Sequence, residues 1–498
     1  MIKKSAVAAS VLVLAISASG LAAEFQPMGA LGIGGAGVAR TYDAHAPYWN
    51  PAGLAFSDKD FSSRVDVSVG IKVNDGLADN VDRLDKIDFD NIKQISGASA
   101  TLQNATDAVK AISILNDIKE KKGTLAVNGN TVLGFQYNHF ATGAFGTIEG
   151  FAQPSPDTVN IVPQSAANTP ITTAEFAAPF AGSAASSVYF SPDQRTAINT
   201  ALQANGFTAG QSQDIINGTD AMLLGSGLSS QDVANTLINQ ITTINTATAA
   251  NLLENNTTSV LTRSLAYIEF PLSYGHPFDF GTYGTLGIGG PVKVIAGRVY
   301  QSQTFLMKSD SVDSSDITSE MTKNYKDSVN ASFDLGALWR YNKMLNVGIV
   351  AKNLTSPEFD APDVKDKNGS VIPGSGGKVK LEPQLRLGVA IDPVDWLTLA
   401  ADLDLTENKT VLGADGYKNR HLGGGFEWHS FSWLKLRGGM YTNLASGGIG
   451  PTATAGLTFG TKWINLDIDG AYGLETAEYD GDESPQEARV QLQLNFLF

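Results

Sequence analysis

The residue types that carry enzyme chemistry occur in this sequence, but not in the patterns that enzymes use. Gly32, Gly34 and Gly37 have the G-x-G-x-x-G spacing of a dinucleotide-binding loop, which normally follows a strand and opens a helix. The segment lies too near the N-terminus for a preceding strand, so we interpret it as a small-residue segment that threads a crowded space. The sequence has no G-x-S-x-G nucleophile motif, phosphate-binding lysine loop or H-E-x-x-H motif. We therefore expect no catalytic residue and no enzymatic activity.

Metal and redox chemistry also lack their usual residues. The chain contains no Cys, which removes disulfides, thiol catalysis and Cys-ligated metals. Its His residues are scattered without the spacing of a metal site: His45, His139, His276, His421 and His429. We expect no metal and no cofactor. The formal net charge of −15 disfavours a nucleic-acid partner, because phosphates bind basic surfaces.

The first residues of the chain have the pattern of an export signal, and the elements that position the side chains come after it. Lys3 and Lys4 precede the apolar stretch 6–16, and small residues end the segment, which is the order of a secretory signal peptide. We predict a signal peptide over 1–23. The stretch is shorter than the ~20 residues of a spanning helix, and no other uncharged apolar run of that length follows. The sequence thus argues against a helical membrane protein.

From about residue 61 onward the apolar residues recur with a period of two, which is typical of β-strands. Leu397, Leu399 and Leu403 fall on one face of such a strand, and Asp402 and Asp404 on the other. The predicted strands are 62–73, 130–141, 143–153, 263–275, 285–305, 328–342, 345–355, 379–392, 395–406, 419–429, 433–443, 452–460, 463–473 and 488–498.

The connections between these strands alternate between short and long. Soluble sandwiches also alternate apolar and polar residues, but an even strand number with short turns on one side and long loops on the other is typical of outer-membrane barrels. Most Trp residues are predicted near the short turns, as in an aromatic girdle: Trp339, Trp396, Trp428, Trp433 and Trp463. We predict an all-β protein, a transmembrane β-barrel of about fourteen antiparallel strands over 61–498.

If the apolar residues of each strand face lipid, a set of charged residues points into the lumen. These candidates are Arg386, Asp402, Asp404, Glu427, Lys435, Arg437, Asp467 and Asp469. Both signs occur, which fits a water-filled lumen as well as a plugged lumen with ion pairs from wall to plug or within the wall. We favour the structural ion pairs, since the spacing supports no substrate-binding role for any one residue.

Two outer connections, 74–129 and 154–262, are too long for plain loops. The first contains a helical pattern from Leu102 to Lys119, and the second has helix starts at Ser191 and Ser229. We expect both to form helical insertions in an outer cap. They fit a ligand-capturing cap and a surface insertion without ligand contact equally well.

The segment 40–55 resembles the N-terminal hatch of the FadL-type long-chain fatty-acid transporters. There a glycine-rich stretch leads to Asn-Pro-Ala, here Asn50, Pro51 and Ala52, followed by Gly53. The resemblance implies a hatch over 24–60 inside a fourteen-stranded barrel. Five further stretches are similar to the conjugal-transfer TraF-like branch: 351–357, 383–390, 401–406, 420–428 and 436–443. Pro51 fixes its own φ and favours extended geometry at Asn50, so we assign these residues to plug shaping first and ligand contact second.

These observations favour passive uptake of hydrophobic small molecules, such as fatty acids or hydrocarbons, across a Gram-negative outer membrane. The alternative is a scaffold component of a conjugal transfer or secretion apparatus, contacted through its outer loops. The expected partners are outer-membrane lipid, a hydrophobic ligand and the barrel-assembly machinery. The last strand ends at Phe498 and resembles the aromatic-terminated signal that this machinery reads.

Overall fold

The computed structural model describes residues 26–73, 76–87, 92, 101–121, 123–165, 167, 169–306, 323–342, 344–411, 418–445, 450–479 and 482–498. The predicted signal peptide lies outside the described residues.

Within these residues, fourteen strands form one closed antiparallel sheet. Each strand pairs with its neighbours in sequence, and the first pairs with the last. The strands are β1 (Phe61–Val73), β2 (Leu125–Tyr137), β3 (Phe140–Ser155), β4 (Ser259–Asp279), β5 (Thr285–Phe305), β6 (Tyr325–Phe333 and Leu335–Tyr341), β7 (Leu345–Lys352), β8 (Gln384–Val394), β9 (Leu397–Asp404), β10 (His421–Phe431), β11 (Leu434–Asn443), β12 (Thr452–Gly460), β13 (Ile464–Gly473) and β14 (Glu487–Leu497). The predicted fold class is confirmed.

Several predicted strand boundaries are wrong, such as the start of β8 at Gln384 instead of 379, and three differences have an identifiable reason. The turn after β2 is at residues 138–139, not 142, because Asn138 adopts the left-handed conformation that a two-residue hairpin loop needs. β6 is interrupted at Asp334, which lies opposite Pro291 of β5: its N–H bonds to the Pro291 carbonyl, but proline has no N–H to donate in return. β2 begins at Leu125, not 130, because the cap covers its outer end and both faces there are buried, which removes the alternation.

The wall sorts its side chains as the alternation predicts. Outward positions expose large apolar side chains on consecutive strands, such as Val67 of β1, Leu272 of β4 and Val329 of β6. Trp396, Trp433 and other aromatics lie exposed beside the short turns at one end. A continuous apolar band with aromatics at its edge is the surface of a wall that contacts lipid.

The N-terminal segment 26–60 fills the lumen and joins β1 at the short-turn end. It contains the short helix α1 (Ala46–Trp49), two 3-10 turns (Leu31–Ile33 and Pro51–Phe56) and tight glycine turns. Trp49 is almost fully buried in an apolar cluster with Val38 of the same segment and Phe145 of the wall. We call this segment the hatch.

The long outer connections form a helical cap with its own core. They span 74–124 and 156–258 and are shorter than the predicted 74–129 and 154–262, because the strands extend further outward. Their helices are α2 (Leu77–Asp85), α3 (Leu102–Lys121), α4 (Thr173–Ala177), α5 (Pro192–Ala204), α6 (Ala209–Leu223) and α7 (Ser230–Thr246). Ser191 and Ser229 are N-caps, as predicted. Phe176, Phe180 and Leu237 are fully buried in the cap core.

None of the described helices is long and apolar enough to cross a bilayer.

Candidate functional site

The Asn-Pro-Ala motif fixes the hatch against the wall. Asn50 caps the 3-10 turn by accepting a hydrogen bond from the Ala52 N–H (3.1 Å), and its side-chain amide donates to the carbonyl of Ala337 in β6 (3.0 Å). Pro51 opens the turn, where its missing N–H costs nothing. Gly53 passes so close to the Thr41 carbonyl that a Cβ atom would lie 2.0 Å from that oxygen. Asn50 therefore joins the plug to the wall, whereas the close approach at Gly53 lies within the hatch, to which Thr41 also belongs.

The glycine-rich segment bonds to the far side of the barrel. The N–H groups of Gly37 and Val38 both donate to one carboxylate oxygen of Asp402 in β9, at 2.9 and 3.0 Å. Gly34, with φ at +68°, donates its N–H to the Thr454 hydroxyl (3.1 Å). The wall thus holds the amides of Gly34, Gly37 and Val38, whereas the Gly35 N–H bonds within the hatch, to the Ala30 carbonyl.

Two groups of charges line the lumen and contain all eight predicted candidates. In the first, Glu427 lies within hydrogen-bond reach of Arg40 Nη2 (2.8 Å), Arg437 Nε (2.9 Å), His429 Nε2 (2.9 Å) and Lys435 Nζ (3.3 Å). Arg437 also pairs with Asp469 (3.1 Å) and Asp467 (3.3 Å). Because Arg40 belongs to the hatch, this group includes an ion pair between plug and wall.

The second group surrounds Arg386 of β8. Its guanidinium pairs with Asp404 of β9 at 2.6 Å and lies 5.8 Å from the ring centre of Trp49 in the hatch. Asp402 belongs to the same face of β9, two residues away. The two groups together join the hatch to β8, β9 and β10 through charges and hydrogen bonds.

A third charged cluster was not among the candidates. The ammonium of Lys293 in β5 is buried between Glu269 (2.7 Å), Asp334 (3.0 Å) and Asn353 (2.9 Å). Asn353 in turn donates its backbone N–H to Asp334 at 2.8 Å. The alternation Val292, Lys293, Val294 already indicated that this Lys points inward. Asp334 lies opposite Pro291, two residues from Lys293 on the same face, and this pairing of β5 with β6 had no sequence signal.

The polarity of the lumen reverses near its outer end. Leu265 and Tyr267 of β4 and Ile295 and Val299 of β5 point inward and are buried in an apolar cluster. We call this the outer chamber. It also contains Ala126, Phe151, Phe359, Ala361, Val379, Leu381 and Val411. Phe359 and Val379 come from a two-stranded hairpin (Glu358–Asp360 and Lys378–Lys380). Its first strand lies in a connection predicted as a loop, and Val379 was predicted to begin the wall strand 379–392, which instead begins at Gln384.

The cap above the chamber is organised by two carboxylates. Buried Asp220 accepts hydrogen bonds from the backbone N–H groups of Val188, Tyr189 and Phe190, from Ser186 and from Arg195. Burial alone would raise the pKa of Asp220, but these donors hold it below its ordinary value. At Asp157, burial likewise opposes ionisation, and bonds from Asn160, Val159 and Thr257 lower the pKa to about 2. Asp157 thereby joins the two ends of the 156–258 connection.

Among the described residues, no group of three or more His, Asp or Glu side chains has an arrangement that could hold a metal ion.

Residues 47–404 match the protein family described as "F plasmid transfer operon, TraF, protein". The chain belongs to this family. The match covers the Asn50 motif, the outer chamber except Val411, and the first nine strands of the wall. No curated protein matches the sequence significantly.

Several solved barrels are similar to this TraF-family chain along nearly its whole length. The toluene transporter TbuX of Ralstonia pickettii is 12% identical, with 95% of this chain and 98% of that chain covered at a TM-score of 0.45. The toluene transporter TodX of P. putida is 12% identical, with 95% and 98% covered at 0.41. A Pseudomonas aeruginosa FadL homologue is 11% identical, with 97% and 100% covered at 0.41. At these identities and scores the likeness assigns no activity to this chain.

Proposed function

We propose that this protein is an outer-membrane barrel for the passive uptake of hydrophobic small molecules, such as fatty acids or hydrocarbons. The observation that carries the proposal is the outer chamber, where apolar side chains of several strands turn inward near the outer end of the lumen. Inward apolar side chains would not stabilise a polar solute in the lumen. A hydrophobic solute, in contrast, is stabilised by about 25 cal/mol of free energy for each Å² of its apolar surface that is removed from water.

The hatch supports a gating role within this proposal. It occupies the lumen below the chamber and is held by separate contacts at Asn50, at Asp402 and at Arg40. The inter-strand hydrogen bonds of the wall do not depend on these contacts. A shift of the hatch can therefore open a path while the barrel stays closed.

Uptake by cells that lack the protein, complemented with defined variants, tests this function. Asn50→Ala combined with Pro51→Gly removes the amide contacts and the rigid φ of the hatch, so the uptake rate of a fluorescent fatty acid or an aromatic hydrocarbon should change. Lys59→Gln, at an exposed position of the hatch, is the matched control. The amount of folded, heat-modifiable barrel should be the same in all strains. Unchanged uptake of every hydrophobic probe, even after loss of the protein, would contradict the proposal.

A scaffold role in a conjugal transfer or secretion apparatus is the second candidate. Membership of the TraF family favours it, and so does a cap with its own core, which offers a surface to other proteins. Deletion of the gene should then impair DNA transfer or secretion while uptake of hydrophobic probes stays unchanged. Measuring both in the same strains separates the two functions.

A further inference from the structure

The ring of Phe359 occupies a slot in the wall of the outer chamber that only glycine permits. Phe359 is fully buried, and a Cβ atom placed on Gly297 of β5 would lie 2.3 Å from its ring. The ring of Tyr267 lies 6.5 Å away between centres, at 34°. Glycine inside a strand weakens the strand and often marks a close approach by another group. The wall thus has a recess shaped for a flat ring.

The surroundings of this recess are apolar. Leu265, Ile295 and Val299 are fully buried around it, and all three are aliphatic. The nearest inward cation towards the outer end, Arg263, bonds to the side chain of Gln301 and to the carbonyls of Gly376 and Val411. These partners are neutral, but Arg263 pairs with Gln301, four residues further out along β4 than the Tyr267–Gly297 pair, so a carboxylate bound to it would lie outside the recess. An ionised group inside the recess would lose its hydration, which is costly. The recess therefore suits a neutral ring better than a fatty carboxylate.

The hairpin that delivers Phe359 is held by the side chains it buries and by a few hydrogen bonds. Its strands contain three residues each, and a two-stranded hairpin of this length is marginally stable alone. Its outer face has an exposed ion pair between Glu358 and Lys378, which contributes little to the stability of the hairpin. The hairpin strands bond to the wall through the donation from Asn330 to the Glu358 carbonyl (2.8 Å) and that from the Asp360 N–H to Ser328 (3.1 Å), and Arg263, Gln301 and Asn324 donate to carbonyls of the adjoining loop. Phe359 is the largest side chain that the hairpin buries, so a ligand that replaces its ring removes the largest apolar contact between the hairpin and the wall.

We propose that the recess at Gly297 is a binding site for a single neutral aromatic ring, which the side chain of Phe359 occupies when no ligand is bound. The inference rests on the proposed uptake of hydrophobic molecules and specifies its ligand class and site. Binding displaces Phe359 from the recess and moves the hairpin away from the wall of the chamber.

Binding of fluorotoluene to the purified barrel, followed by ¹⁹F NMR, tests the site directly. Phe359→Ala removes the competing ring, so fluorotoluene should bind at least about tenfold more tightly than to the wild type. Val379→Ala is the matched control, because it opens a cavity in the same cluster and hairpin but outside the recess. It should bind fluorotoluene much more weakly than Phe359→Ala. Decanoate should show no comparable gain in either variant.

Displacement of the hairpin is a second readout. The chain has no Cys, so Val371→Cys, at an exposed position of the same connection, accepts a single spin label. Fluorotoluene should increase the mobility of this label saturably in the wild-type background. Gly297→Leu, which fills the recess, should leave the label mobile and insensitive to fluorotoluene.

Equal binding by Phe359→Ala and Val379→Ala would overturn the proposal, because it would reveal only a generic apolar cavity. A label that does not respond to fluorotoluene would overturn it as well. Failure of the ring site can be distinguished from failure of the proposed uptake function. Cells that take up fatty acids but not aromatic probes would refute the ring site and leave the uptake function standing.

Discussion

Asp402 is the residue whose replacement should release the hatch most selectively. Its carboxylate receives the N–H groups of Gly37 and Val38, and its neighbour Arg386 has a separate partner in Asp404. Asp402→Ala should therefore free the glycine segment while the β9 ladder, which is made of backbone groups, stays intact.

The size of the effect follows from the two lost bonds. A hydrogen bond to a charged group contributes about 1.5–3 kcal/mol, so two contribute about 3–6 kcal/mol. Removing a buried carboxylate also ends its desolvation cost, which offsets part of this loss. We expect the free energy of hatch opening to fall by about 3 kcal/mol. Since 1.4 kcal/mol is a factor of ten, amide exchange at Gly37 and Val38 should accelerate on the order of 100-fold.

Hydrogen exchange of the purified barrel, read by mass spectrometry on peptides covering 31–40, measures this change. Asp402→Asn retains an oxygen acceptor and should show a smaller acceleration. Thr398→Ala changes an inward residue of the same strand that bonds to Asp392 rather than to the hatch, so it should leave exchange unaltered. Unchanged exchange in Asp402→Ala, or an equal change in Thr398→Ala, would refute the assignment of Asp402 as the anchor.

Three further predictions concern the wall, its closing seam and the cap. Leu399→Arg places a charge on the lipid face a few residues from the girdle and should cost about 1–3 kcal/mol, less than the 2–4 kcal/mol of the midplane, whereas inward Thr398→Arg should be milder in a reversible folding assay. Phe498 exchanges two backbone hydrogen bonds with Phe61, so deleting it or changing it to Asp should reduce the heat-modifiable barrel in the membrane fraction. The pKa of Asp220 is lower in the folded cap, so its stabilisation is present above the unfolded pKa and is lost as pH falls through the folded value. Proteolysis of the cap should accelerate below about pH 4, and Asp220→Asn should weaken that pH dependence.

The alternation of apolar and polar residues was sufficient to predict the strands of the wall. Side chains on a strand alternate between its two faces, so the positions of Leu399 and Asp402 on opposite faces followed directly from the sequence. The helix starts at Ser191 and Ser229 were equally local, because an N-cap bonds to an amide three residues later. The alternation failed at the outer end of β2, where the cap buries both faces of the strand. It also missed the interruption at Asp334, which depends on Pro291 of the neighbouring strand.

The sequence by itself therefore determined the barrel, the strand count and the inward direction of the charged side chains, because each depends on a period of two residues. Only the tertiary structure decided what those side chains contact. Gly37 and Asp402 are separated by 365 positions, and nothing near either residue encodes the partner. The recess at Gly297 is a further case, since its occupant Phe359 arrives on a hairpin from another connection. Alternation specifies a face, but a partner across the lumen depends on how the hatch and loops fold back into the barrel.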